Sequence, residues 1–377
     1  MKQIKYFDHA ATTAVDEKVL KSMLPYYNKE YGNPSAVYGL AQNARKGIEE
    51  AREKIANIIG AKKGEIYFTS GGSESDNLAI KGIAYANKHK GNHIITSKIE
   101  HKAVLETCNI LEKEGFEVTY LNVDEKGFIN LEELKKSIKP NTILISIMFA
   151  NNEVGTIQPI KEIGEIAKQK GIYFHTDCVQ AMGNCLINVN KLNIDALSMS
   201  GHKVYGPKGI GVLHVRDGVE FRKIQNGGRQ EKDKRAGTEN VPGIIGMGVA
   251  LELAYNHFES NTKHLKELKN YYLNKIVKKI PSAKLNGDKT QSLSGTCNIS
   301  FMGINGGELL EKLDQYGICA SAGSACSAGC SAPSHVLIAM GLPNKLAQSS
   351  LRITFGRENT IQDVDYLVEC LEKIVKP

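Results

Sequence analysis

Residues 195–213, with the sequence DALSMSGHKVYGPKGIGVL, combine a short apolar run with a polar turn. The apolar run predicts a buried strand that breaks at Ser200-Gly201 and is followed at once by His202 and Lys203. A lysine among small residues beyond a buried strand can lose its proton more readily than a surface lysine, and can then act as a nucleophile. Two interpretations of Lys203 are open at this point: a Schiff-base lysine, or one of many exposed lysines.

Strand and helix patterns alternate on the N-terminal side of this segment. Helices are predicted over 42–59, 74–87, 102–114, 131–138 and 160–170, and strands over 65–70, 93–97, 117–122, 142–149, 173–176 and 196–199. The alternation, with apolar strands, predicts an α/β fold whose mostly parallel sheet is covered by helices on both faces.

The order of predicted helices and strands is different in the C-terminal part of the chain. One long helical stretch is predicted over 243–279, followed by strands over 296–301 and 351–354 among three further helices. This pattern is typical of a smaller α+β domain. We therefore predict a large domain over residues 16–255 and a small domain formed by residues 1–15 and 256–377.

Composition limits the classes of function. The 377 residues are 41% hydrophobic and 24% charged, as in ordinary soluble proteins. The net charge of +7 is dispersed, so nucleic acid is a weak candidate partner, and anionic small ligands or an acidic protein suit the surface better. We find no segment of signal-peptide or membrane-span length, and eight irregularly spaced cysteines predict reduced thiols in the cytoplasm.

Several polar residues follow predicted strands, where open parallel sheets bind their ligands. Gly71-Gly72-Ser73 opens a helix after strand 65–70, so its free N–H groups suit an anion, although Ser73 and Asp76 also fit a plain capping box. His101 and Asn152 each have a structural alternative, as a buried histidine and a turn residue.

Charged residues at two other strands need compensation. Asp177 ends a buried strand, with Gln180 three residues on, and either a protonated pyridine nitrogen or a protein cation would balance its charge. Arg352, on a predicted strand of the small domain, suits a carboxylate clamp or an ordinary salt bridge.

The stretch CASAGSACSAGCSAPSH begins at residue 319, and its small residues predict a mobile loop carrying Cys326. The gaps between Cys319, Cys326 and Cys330 match none of the usual metal-ligand spacings, so we predict no metal site. An amine nucleophile, an acid for a ring nitrogen, a phosphate site, a carboxylate clamp and a thiol together indicate pyridoxal-phosphate (PLP) chemistry on an amino acid.

Ten ordered motifs then carry a family resemblance along nearly the whole chain. They are DHAATT (8–13), YGNPSAVYG (31–39), FTSGGSESDN (68–77), TSKIEHKAVLET (96–107), NNEVGTIQPI (151–160), HTDCVQAMG (175–183), SGHKVYGPKGIG (200–211), RAGTEN (235–240), GSAC (323–326) and SLRITFGR (350–357). The chain resembles the NifS/IscS-type cysteine desulfurases of the class V aminotransferase family. The resemblance implies a fold-type I PLP-dependent transferase that forms a homodimer.

The resemblance also implies roles for individual residues. Lys203 forms the Schiff base with PLP, His101 stacks on its ring, Asp177 pairs with the ring nitrogen and Gln180 with the ring hydroxyl. Ser73, Ser200 and His202 hold the phosphate together with Thr238, which reaches in from the partner subunit. Asn152 and Arg352 bind the substrate carboxylate, and Cys326, on a loop of about residues 319–333, is the nucleophile.

The implied reaction converts L-cysteine to L-alanine and leaves the sulfur on Cys326 as a persulfide. Acceptors for iron–sulfur cluster assembly or tRNA thiolation would then take it, with no direct contact to nucleic acid or membrane. A selenocysteine lyase, another class V PLP enzyme and a non-catalytic sulfur-carrying scaffold subunit are the alternatives.

The chain departs from the family pattern at several positions. Tyr38 replaces a usual histidine, the run GGRQEKDK (227–234) carries Arg229, Lys232 and Asp233 in unusual places, and Cys330 follows Cys326. Cys330 is either an incidental small residue or a second thiol that takes over the persulfide or forms a reversible disulfide with Cys326.

Overall fold

The computed structural model of the protein describes residues 4–322 and 333–375, in which the strands form three sheets. In chain order the strands are β1 (Lys5–Tyr6), β2 (Ile66–Thr69), β3 (His93–Ser97), β4 (Glu117–Leu121), β5 (Thr142–Ser146), β6 (Tyr173–Asp177), β7 (Ala196–Ser200), β8 (Gly211–Val215), β9 (Ala283–Asn286), β10 (Thr296–Phe301), β11 (Ile318–Cys319) and β12 (Ser350–Thr354). Seven of them form the central sheet, in the order β2-β8-β7-β6-β5-β3-β4. β8 runs antiparallel to both neighbours and the other pairs are parallel, which confirms the predicted mostly parallel sheet.

Helices pack against the central sheet and against the smaller sheets. They are α1 (Glu17–Met23), α2 (Pro25–Asn28), α3 (Gly39–Ile59), α4 (Gly72–Asn87), α5 (Lys102–Lys113), α6 (Leu131–Ser137), α7 (Ile160–Lys170), α8 (Gln230–Asp233), α9 (Val241–Asn256), α10 (Phe258–Lys279), α11 (Gly306–Gln315), α12 (His335–Ala339), α13 (Asn344–Gln348) and α14 (Ile361–Val375). Within residues 4–322 and 333–375, none of these helices has the length and apolar character to cross a membrane.

The long helix α3 shows how sequence spacing produces the packing. Ala44, Ile48, Ala51 and Ile55 recur at helical spacing and are all buried, on the stripe that faces α9. Gly60 ends the helix at a φ of 70°, a left-handed conformation that glycine adopts at little cost.

A second apolar cluster lies around a smaller antiparallel sheet, β12-β10-β9. Leu268 of α10, Leu351 of β12 and Leu371 of α14 are buried in it, together with Phe7 from the N-terminal segment. β1 pairs with β11 in parallel beside this cluster. The N-terminal segment thus packs with the C-terminal third of the chain, while the division into domains at residues 15 and 255 stays a prediction.

The structure corrects the predicted elements at three places. Residues 211–215, for which no strand is predicted, form β8 between β2 and β7 of the sheet. The single helix predicted over 243–279 is two helices, because the backbone leaves the helical conformation at His257 (φ −109°, ψ 16°). The strand predicted over 142–149 is shorter in the structure and ends at Ser146.

A left-handed turn lies in the unusual run GGRQEKDK. Glu231, Lys232 and Asp233 have φ values of 46°, 58° and 62°, a conformation that costs free energy for residues with a Cβ. The buried Glu231 carboxylate accepts two hydrogen bonds of 2.8 Å from the Arg52 guanidinium and one of 2.8 Å from the Phe68 backbone N–H. These bonds fix the turn that precedes Thr238.

Candidate active site

A cleft lies at the carboxyl ends of the parallel strands, with an empty volume of about 790 Å³. Asp177 ends β6 and Ser200 ends β7, while His101 and Asn152 follow β3 and β5. This is the edge at which open parallel sheets bind ligands. Nine of the predicted site residues line the cleft: Ser73, His101, Asn152, Asp177, Gln180, Ser200, His202, Lys203 and Arg352.

Lys203 enters the cleft from a short 3₁₀ turn, Gly201–Lys203, directly after β7. Its ammonium group donates hydrogen bonds to the backbone carbonyls of Ala10 and Ala11, the latter at 2.7 Å. The Gln180 side-chain amide donates to the same Ala10 carbonyl at 3.0 Å. Neutral carbonyls therefore hold the amine at the edge of the cleft.

Asp177 is buried at the floor of the cleft, where its Oδ1 accepts a 2.8 Å hydrogen bond from the Val179 backbone N–H. Burial raises the pKa of Asp177, while the nearby charges of His101 and Lys203 oppose that rise. A cation placed against this carboxylate would therefore keep it ionised. A protonated pyridine nitrogen is such a cation.

Asp76 of α4 lies next to Asp177 and was not predicted as a site residue. Burial and the charge of Asp177 raise the pKa of Asp76 well above its usual range, and its Oδ1 has no hydrogen-bond partner. The nearest basic group is His175 Nε2 at 3.7 Å, and burial lowers the pKa of His175 to about 3. The raised pKa of Asp76 and the lowered pKa of His175 both disfavour the charged forms of these two side chains, whereas nearby positive charges favour an ionised Asp177.

His101 caps helix α5 with its side chain. The Ala103 backbone N–H donates to His101 Nδ1 at 3.1 Å, so the proton of the neutral ring is on Nε2. Burial lowers the pKa of His101, which favours the neutral ring, while the charge of Asp177 acts in the opposite direction. A neutral ring with a fixed orientation on the wall of the cleft suits stacking against a flat ligand.

The cleft continues over the N-terminus of α4, a helix of 16 residues. Ser73, Ser200, His202 and Lys208 line this extension. Burial, reinforced by the charges of Lys203 and Lys208, lowers the pKa of His202 to about 4. Free N–H groups, hydroxyls and nearby lysines form an environment for a phosphate group.

Arg352 closes the opposite side of the cleft, where it is 1% exposed. Its guanidinium donates a 3.0 Å hydrogen bond to the Asn152 backbone carbonyl and a 2.7 Å hydrogen bond to Asp8 Oδ1. The Nε atom is buried and has no hydrogen-bond partner. A carboxylate is the natural ligand for this remaining donor.

Of the predicted residues that the structure describes, Thr238 lies away from the cleft of its own chain. It is exposed to solvent. Cys326 and Cys330 lie outside the described residues.

The N-terminal turn at residues 8–13 contributes contacts that the sequence did not reveal. Besides Asp8, Ala10 and Ala11, it supplies the Thr12 hydroxyl, which lies 3.2 Å from His202 Nδ1. The motif DHAATT carries part of the family resemblance, but hydrogen bonds to backbone carbonyls leave no residue-type signal.

Comparisons with known proteins agree with this geometry. The family model described as aminotransferase class-V matches residues 5–367. The chain is 52% identical over 373 residues to a protein named cysteine desulfurase IscS from Clostridium botulinum, covering 98% of this chain and 94% of the relative.

Two solved structures are also similar. A NifS-like protein superposes with a TM-score of 0.93 at 40% identity and covers 99% of both chains. The structure titled SspA in complex with cysteine has a TM-score of 0.84 at 43% identity, covering 94% of this chain and 100% of the other. The chain belongs to the aminotransferase class-V family and, within it, to the NifS/IscS-type cysteine desulfurases.

Proposed function

We propose that the protein is a PLP-dependent cysteine desulfurase that converts L-cysteine to L-alanine and passes the sulfur to an acceptor. The observation that carries the proposal is one cleft in which Lys203, Asp177, His101 and an anion-binding helix terminus surround a space of about 790 Å³. The relatives at about 50% identity that are named cysteine desulfurase support the choice of substrate.

The cofactor fits the residues that are present. Ser73, Ser200 and His202 would hold its phosphate over α4, Asp177 its ring nitrogen, Gln180 its hydroxyl and His101 its ring face. Bound PLP supplies an aldehyde for the substrate amine and an electron sink for the carbon next to it.

The chain's own groups then act on the substrate. Arg352 and Asn152 bind the α-carboxylate, which orients the amino acid in the cleft. The Lys203 amine, held at the edge of the cleft, would be the base that takes the α-proton of the substrate. Asp177 would hold the ring nitrogen in its protonated form, because burial disfavours the Asp177 carboxylate and a cation beside it would compensate.

Cys326 accepts the sulfur in this proposal. Its thiolate attacks the substrate sulfur, so an S–S bond forms as the Cβ–S bond breaks, and the bonding electrons stay with the carbon skeleton. In sum, L-cysteine and the Cys326 thiol give L-alanine and a Cys326 persulfide. Iron–sulfur cluster assembly and tRNA thiolation proteins are the acceptor classes proposed.

A homodimer completes the proposal. Thr238 is exposed in its own chain, as a residue must be that contributes to the phosphate site of a partner. Large apolar side chains are exposed on α1, on α2 and in the turn before α3, which suits an interface. They are Leu20, Leu24, Tyr27, Tyr31, Val37 and Tyr38.

We also propose the domain division at residues 15 and 255, supported by one apolar cluster almost wholly within residues 16–255 and another built from Phe7 and residues beyond 255. A cytoplasmic location is proposed because the six described cysteines are free thiols, which suits a reducing compartment.

Incubation with L-cysteine and a dithiol reductant tests the function, with alanine and sulfide measured together. Equimolar alanine and sulfide are expected, and alanine without sulfide would refute the desulfurase proposal. Lys203→Ala should abolish the visible absorption of bound PLP and all turnover. Cys326→Ala should abolish cysteine desulfuration, whereas a selenocysteine lyase or transaminase would retain most of its activity.

A further inference from the structure

We propose that Asp8 is the resident counter-ion of Arg352 and that its charge keeps the binding of amino-acid carboxylates weak. Asp8 is then a positioning residue that sets the affinity for substrate and product. The inference rests on the proposed function of Arg352 as the carboxylate-binding group.

The first observation is the burial of Arg352. A guanidinium that is 1% exposed must replace its lost hydration with bonds to the protein. Asp8 Oδ1 supplies the only carboxylate contact described for it, at 2.7 Å, and the Asn152 carbonyl supplies a neutral one at 3.0 Å. The described bonds use one N–H each on Nη1 and Nη2, so the guanidinium keeps further donors for a ligand, the buried Nε among them.

The second observation is that Asp8 is held in place by other partners. The Ser321 hydroxyl donates to Asp8 Oδ2 at 2.8 Å, so both carboxylate oxygens are occupied. Ser321 and Arg352 also exchange backbone hydrogen bonds of 3.3 Å and 2.6 Å. Asp8 is bridged to Thr354 as well, two residues beyond Arg352. A carboxylate fixed from several sides stays beside Arg352 when a ligand arrives.

An entering carboxylate therefore meets an ion pair rather than a bare cation. It gains the free Arg352 Nε donor but is repelled by the Asp8 charge a few ångströms away. The proposed product, L-alanine, carries the same carboxylate as L-cysteine, so a strong clamp would retain both. Weak binding at this point favours the release of alanine.

Ligand binding by the PLP-loaded enzyme tests the proposal without relying on turnover. L-Alanine is titrated and followed by the visible absorption of the bound cofactor, and ethylamine, which lacks the carboxylate, serves as the matched probe. Asp8→Asn keeps the shape but removes the charge, and should lower the dissociation constant for L-alanine about tenfold or more. The constant for ethylamine should stay within about twofold, and Asp8→Glu should resemble the wild type.

A constant for L-alanine that is unchanged or higher in Asp8→Asn would overturn the proposal, as would an equal tightening of alanine and ethylamine. In an Arg352→Gln background the Asp8→Asn effect should vanish, because the coupling acts through the guanidinium. If Arg352→Gln alone leaves L-alanine affinity unchanged, the carboxylate assignment of the proposed function fails instead.

Ser321→Ala covers the case in which Asp8→Asn does not fold. It leaves the Asp8 charge but removes its second partner, so more of that charge acts on Arg352. The L-alanine constant should then rise about threefold, since a charge-assisted hydrogen bond is lost from the competing side. An unchanged or lower constant overturns the proposal.

Discussion

Substitution of Glu231 by Gln tests whether the buried pair with Arg52 stabilises the left-handed turn before Thr238. The carboxylate accepts two bonds from Arg52 and one from the Phe68 N–H, and both charged side chains are about 5% exposed or less. Gln keeps one acceptor and turns an amide N–H towards the guanidinium. Breaking one partner of such a pair costs about 3–5 kcal/mol, because the other charge stays buried.

That free energy converts to a temperature shift. With about 2.1 cal/mol/K of unfolding entropy per residue, a chain of 377 residues has roughly 0.8 kcal/mol/K. A loss of about 3–5 kcal/mol therefore lowers Tm by about 4–6 °C. Differential scanning calorimetry of the PLP-loaded enzyme at fixed protein concentration measures it.

Glu49→Gln is the matched control. Glu49 also pairs with Arg52, at 3.1 Å from its Nε, but its side chain is 41% exposed. Pairs of that kind contribute about 1 kcal/mol or less, so the shift should be near 1 °C. Equal shifts for Glu231→Gln and Glu49→Gln would refute the argument that burial gives the Glu231 pair its importance.

Two further predictions concern the floor of the cleft. Asp177→Asn should weaken PLP binding by about ten- to a hundredfold, the value of a hydrogen bond between charged groups, as measured by titration of the apo-enzyme. Asp76→Asn should leave that affinity within about twofold, because the raised pKa of Asp76 disfavours its charged form, and a loss like that of Asp177→Asn would contradict this. Burial lowers the pKa of His175 to about 3. Below about pH 6.5 this histidine therefore binds a proton in the unfolded chain but not in the folded one. The wild type should therefore lose up to about 1.4 kcal/mol of unfolding free energy per pH unit below 6.5 relative to His175→Gln, and parallel denaturant-derived pH curves for the two proteins would disprove it.

Much of the fold is accessible from local sequence patterns. The continuous apolar run of β5 predicts a strand, and the apolar stripe of α3 at helical spacing predicts a helix. Burial on both faces of a strand, or on one face of a helix, imposes these patterns. The sequence pattern does not predict β8, because its residues follow the glycine- and proline-rich turn after Lys203. Only their pairing with β2 and β7 makes them a strand. No glycine or proline lies at His257 to predict the break between the two helices, so we attribute this break to packing.

The site divides in the same way. Ser73, Asp177 and Lys203 stand at strand ends, where sheet topology alone brings side chains together. The partner of Arg352 could not be predicted, since Asp8 lies 344 positions away and the contact depends on the docking of the N-terminal segment. Thr238 is a different case. The site proposed for it belongs to another subunit, so the fold of a single chain does not bring it to a cleft.

The link between residues 8–13 and the C-terminal strand β12 has a consequence for synthesis. Arg352 reaches Asp8, and the Thr354 hydroxyl accepts the Ala10 N–H, only after nearly the whole chain has left the ribosome. The central sheet can form earlier, since its strands end at Val215. A nascent chain would thus carry Lys203 in a folded sheet while the wall of the cleft is still missing. Completion of the proposed carboxylate-binding site is then a late event, and a chain truncated before β12 would lack Arg352 while keeping the sheet that carries Lys203.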